Sequence, residues 1–93
     1  MKNVILIYPT QERAEAKFRE MLDFLDDEIN RSSYTPLVIE LGNTSYKFIN
    51  MDSIDKLIGI EINRVWIEEI ESLTEEQLMF LRTRYERTNF RTG

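Results

Sequence analysis

Cysteine and histidine are both missing from these 93 residues. The first absence excludes disulfides and thiolate metal sites. The second removes the commonest general base and the commonest zinc ligand. Glycine occurs three times and proline twice. Gly42, Gly59 and Gly93 open no G-x-x-x-x-G-K-[ST] phosphate loop, and Lys17, Lys47 and Lys56 do not follow a glycine. Long apolar runs are missing too. "VILIYP" is too short for a membrane span or a signal core, and no small-residue cleavage site follows it. A cytoplasmic location with no membrane contact is therefore expected.

What is present is charge of both signs on an ordinary apolar background, the composition of a globular chain. The length suits one α/β domain over residues 1–93 with a modest core. The net charge is −5, which argues against indiscriminate binding to phosphate backbones. It is unevenly spread. Residues 1–71 carry 8 basic and 14 acidic side chains, net −6, and residues 72–93 carry 4 and 3, net +1, together the −5 of the chain. The last quarter is the anion-facing region.

Asn3 to Tyr8 is a continuous apolar run rich in β-branched residues, the pattern of an interior strand, stopped by Pro9. Thr10 is a good N-cap. From Gln11 to about Asn30 the apolar residues Ala14, Phe18, Met21, Leu22, Leu25 and Ile29 share one helical face. Asn30-Arg-Ser-Ser reads as a loop, Thr35 to Leu41 as a strand, Gly42-Asn43 as a hairpin turn and Ser45 to Met51 as the returning strand. Asp52 or Ser53 starts a short helical turn closed by Gly59. Arg64 to Glu68 is a second buried strand. Thr74 and Gln77 form a capping box for a final helix to about Arg87, with Leu78, Leu81 and Tyr85 inward. The order predicts an α/β fold: a small sheet of about four strands with parallel and antiparallel pairs, two main helices and one short helical turn.

The chemistry-bearing stretch is "RVWIEEI". Glu68 and Glu69 end an apolar strand, and the carboxyl ends of strands are where open α/β sheets place ligands. Phosphoryl hydrolysis uses one acid to hold magnesium and another to orient water. The same two residues also suit a solvated loop before a helix N-terminus. Arg82, Arg84, Arg87 and Arg91 form the second group. They suit the negative end of a helix dipole and pairing with Glu86, and alternatively contact with nucleic acid or an acidic partner. Trp66 reads as core. Met79, Phe80 and Phe24 fall off the inward helix faces, which fits either a wide buried arc or a patch for a protein partner or a second copy.

"GIEINRVWIEEIESLTEEQLMFLRTRYE" resembles the Walker B region of phage terminase large-subunit ATPases. "NVILIYPTQERAEAKFREMLDFL" is similar to the strand and helix after their phosphate-binding segment. "TPLVIELGNTSYKFINMDSIDKLIG" is similar to the hairpin leading to Walker B. The resemblance implies a P-loop-type fold in which Glu68 sits where that family holds magnesium and Glu69 where it activates water. The departure is the missing Walker A loop, without which nothing cradles β- and γ-phosphates. A cofactor is expected only if the chain is an enzyme, and then magnesium.

The reading that follows is a phage-type protein without catalysis of its own, a protein-binding or regulatory module resembling part of a terminase or helicase-like ATPase core. Two alternatives stand beside it. One is a metal-dependent nucleotide hydrolase completed by a partner chain, with Glu68 and Glu69 catalytic. The other is a nucleic-acid-binding protein using the C-terminal arginines, with Met79 and Phe80 as further contacts.

Overall fold

In a computed structural model describing residues 1–57, 59–85 and 89–92, the run Lys2–Tyr8 forms strand β1, inside a mixed sheet. Its side chains alternate between two packed faces, Ile5 and Ile7 on one, Leu6 and Tyr8 on the other. Thr10 caps helix α1, Gln11–Phe24, its hydroxyl accepting from the Arg13 N–H at 3.1 Å. α1 ends earlier than the apolar period predicts. Leu25 closes it by donating to the Met21 carbonyl, and Asp26–Glu28 is a 3-10 turn. The cause is electrostatic. Three carboxylates follow a helix end whose last turn holds no cation, which opposes extension against the dipole.

The stretch expected as a loop contains strand β2, Arg31–Tyr34, which pairs antiparallel with β3, Leu37–Leu41. Thr35 and Pro36 make the turn between them instead of opening the strand. Gly42, at φ 55°, supplies the left-handed turn into β4, Thr44–Asn50. β4 runs antiparallel to β3 and parallel to β1. Met51–Leu57 follows as a 3-10 turn. β5, Arg64–Ile67, lies parallel to the other side of β1, with Ile5 opposite Val65 and Ile7 opposite Ile67.

Helix α2, Glu75–Tyr85, opens on the expected capping box. The Gln77 N–H donates to the Thr74 hydroxyl at 3.1 Å and the Thr74 N–H to Gln77 Oε1 at 3.0 Å. Gln77 Nε2 also donates to the Met51 carbonyl at 2.9 Å, tying α2 to the 3-10 turn. The helix does not carry on toward Arg91. Asn89–Thr92 is β6, parallel to β5; phenylalanine and threonine there favour a strand over a helix.

The sheet order is β2-β3-β4-β1-β5-β6, wider than the expected four strands by β2 and β6. Three layers result. α1 lies over β3, β4 and β1 on one face, with Phe18 edge-on to Phe48 at 5.6 Å between centroids. On the other face Leu81 of α2, with Ile54 and Leu57, packs on Ile5, Ile7, Val65 and Ile67. Among the described residues, no helix is long and apolar enough to cross a membrane.

Candidate functional site

Because β1 and β5 are parallel neighbours, their carboxyl ends open side by side. Pro9, Thr10, Arg13, Glu68 and Glu69 line a cleft there of about 460 Å³. The ladder reaches Glu68, whose N–H donates to the Ile7 carbonyl at 2.9 Å. Glu68 therefore follows Arg64 and Trp66 on the α1 face of the sheet. Glu69 leaves the ladder in a left-handed conformation, φ 56° and ψ 64°. Consecutive strand residues point to opposite faces; the left-handed step breaks that alternation and lets both acids line one cleft. A glutamate in this region of backbone space costs on the order of 1–2 kcal/mol.

Arg13 dominates the electrostatics. Its Nε donates to Glu68 Oε2 at 2.8 Å and its Nη2 to Oε1 at 2.9 Å, a bidentate pair. The hydrogen bonds, and then the adjacent positive charge, hold the Glu68 carboxyl below the usual glutamate range. The same bonds raise Arg13, which stays charged. Tyr8 is pushed up to about 12, first by burial and then by the negative charge of Glu68. The cleft is thus lined by a neutralised acid, Glu68, and an exposed one, Glu69.

The resemblance to terminase ATPases implies magnesium at Glu68, and both carboxylate oxygens of Glu68 accept from Arg13. The pair leaves one lone pair on each oxygen, and a cation bound there would lie beside the guanidinium's own positive charge. Among the described residues no group of three or more acids converges as a metal cage. Arg13 was not singled out from the sequence, although it left a trace. A cation in the first turn of a helix opposes the dipole, which points to a specific acidic partner.

The other expected residues disperse. Arg82 is exposed on α2, Arg84 belongs to the same helix, Arg87 lies outside the described residues and Arg91 belongs to β6. Arg91, on a strand, does not share a helix face with Arg84. Met79 is 69% exposed, whereas Phe80 packs against the core beside Met51 and Ile54. Phe24 is exposed. Trp66 is only half-buried, unlike its neighbours Val65 and Ile67.

No family model and no curated protein matches the sequence. Solved structures do match the fold. The large terminase ATPase domain of Thermus phage P74-26 is similar at a TM-score of 0.63 and 16% identity. An arginine-to-alanine mutant of that domain is similar at 0.65 and 14%. Both matches cover 98% of this chain, which spans 46% of the terminase domain's length. The chain has the fold of part of a large-terminase ATPase domain.

Proposed function

We propose, from that shared fold, that the chain is a protein-binding module of a terminase-like system and hydrolyses no nucleotide by itself. The observation that carries this reading is the bidentate Arg13–Glu68 pair. It engages the acid that the fold's chemistry would give to magnesium. A guanidinium hydrogen-bonds to both oxygens and opposes a second cation, and no phosphate loop occurs in the sequence to hold a triphosphate beside them. A regulatory partner or mimic of a terminase or helicase-like motor, in the cytoplasm of a phage-infected cell, fits the fold and the acidic charge.

One specific feature favours a second reading, a nucleotide hydrolase completed by another chain. Glu69 is exposed in the cleft on a backbone conformation that disfavours glutamate, the kind of strain that gathers at functional sites. In that case a partner would supply the phosphate loop, Glu69 would be placed to orient water, and Glu68 would be the residue to hold magnesium, which would supply charge stabilisation to the phosphate.

Titration calorimetry with magnesium and ATP, with a phosphate-release assay, tests the first reading. It expects neither heat nor turnover from the purified chain. Turnover that disappears in Glu69→Gln overturns it.

A further inference from the structure

The side of the molecule that carries α2 holds a groove the core does not close. Glu76, Met79 and Phe80 form one ridge of α2, at steps of three residues and one. They line a hollow of about 270 Å³. Glu76 and Phe80 also line a second hollow, of about 340 Å³, to which the 3-10 turn Met51–Leu57 contributes Asp52, Ile54 and Asp55. The shared residues join the two hollows into one groove. Ile54 is buried and Met79 exposed, so the groove is apolar from its floor to its outer wall.

Charge selects the occupant. Asp52, Asp55 and Glu76 edge the groove and all three are exposed. They do not gather round one point, since among the described residues no three acids converge as a metal cage. Spread along an apolar floor, they suit a cationic surface rather than a single ion. Lys56, next to Asp55 in sequence, lines a different hollow. Arg84 lies eight residues further along α2 than Glu76, about 12 Å up the helix axis. The chain as a whole carries −5, the same sign as the rim. Local and long-range fields therefore both attract a basic partner, and both oppose a nucleic acid or a second copy. Shape points to a helix. A ridge of side chains three and four residues apart, with a groove beside it, is the surface into which helices pack.

We infer that this groove receives a basic amphipathic helix of a partner protein, its apolar face on Met79 and Phe80 and its lysines or arginines opposite Asp52, Asp55 and Glu76. The inference rests on the protein-binding reading above and gives it a surface and a partner chemistry.

Methyl NMR of labelled methionine reads the groove at Met79, and Met79→Leu assigns the signal. The probes are three synthetic helices, with leucine and lysine faces, leucine and glutamate faces, or alanine and lysine faces. The leucine–lysine helix is expected to move the Met79 methyl signal and to bind in calorimetry. The leucine–glutamate helix is expected to do neither, and the alanine–lysine helix to bind more weakly for want of an apolar face. Asp52→Asn, Asp55→Asn and Glu76→Gln are exposed substitutions that leave the core intact. Each is expected to weaken the leucine–lysine helix by about two-fold, and the three together by about eight-fold. No movement of Met79 with that helix overturns the inference, as does affinity unchanged in the triple variant or matched by either other helix. Sedimentation that finds self-association moving the Met79 signal also overturns it, since the occupant is then a second copy. ATP turnover by the purified chain overturns the non-catalytic reading and leaves the Met79 signal as it was, so the two failures are separable.

Discussion

Arg13 and Glu68 stand 55 positions apart in sequence and share two hydrogen bonds, at 2.8 and 2.9 Å. The pair joins the start of α1 to the end of β5 across the mouth of the sheet. It turns a doublet of acids into one compensated and one exposed carboxylate, and most of the site's chemistry follows from that asymmetry.

Removing the guanidinium releases Glu68. In Arg13→Gln the Glu68 carboxyl is expected to titrate at higher pH than in the parent, read from its side-chain carbon shift by NMR. The stability consequence has a fixed sign. A depressed folded-state pKa stabilises above the unfolded glutamate value, and that contribution is lost as pH falls through the folded value. The Tm gap between parent and variant should therefore be widest near neutral pH and close on acidification. A gap that widens in acid contradicts the assignment.

Tyr8 makes the complementary prediction at the alkaline end. Its phenol is pushed up to about 12 by burial and by Glu68. A raised folded-state pKa stabilises fully below the unfolded tyrosine value near 10 and is lost as pH rises through the folded value. Ultraviolet titration should show a late phenol ionisation, and Tyr8→Phe should remove that step. The absence of any late step in the folded protein would contradict it.

The left-handed backbone at Glu69 predicts a gain in stability. Glycine adopts φ 56° without the steric cost that glutamate bears. Glu69→Gly should stabilise the chain by about 1 kcal/mol in urea unfolding, less the extra entropy of glycine in the unfolded state. Destabilisation instead would mean that the Glu69 side chain makes interactions worth more than the strain.

The capping box sets the stability of α2. Thr74→Ala removes the hydroxyl that accepts from Gln77 and should cost about 1 kcal/mol. Phe18 is fully buried between Phe48 and Tyr34, so Phe18→Ala should cost about 3–5 kcal/mol. Chemical denaturation measures both, and comparable losses would place Phe18 outside the core.

How much of this was legible depended on the range of the forces involved. Thr74 and Gln77 lie three residues apart and satisfy each other, so the box could be read directly. The apolar run of β1 and the Gly42 turn were legible for the same local reason. β2 was hidden because Arg31, Ser32 and Ser33 carry no apolar alternation, an edge strand needing only one partner. α1 was overextended because Ile29 continues its apolar period while the acids before it end the helix. At the site, the sequence supplied the two glutamates, and only the fold supplied the arginine, since no local pattern links residues so far apart.

The position of β1 between β4 and β5 also bears on how the chain reaches this structure. The Lys2–Tyr8 run is synthesised before either neighbour, Thr44–Asn50 or Arg64–Ile67. Until then its backbone donors and acceptors and its isoleucines face solvent or a chaperone. Pairings between such distant segments are slow to form and leave sticky intermediates meanwhile. The acidic α1 that follows β1 immediately is the first element able to shield it.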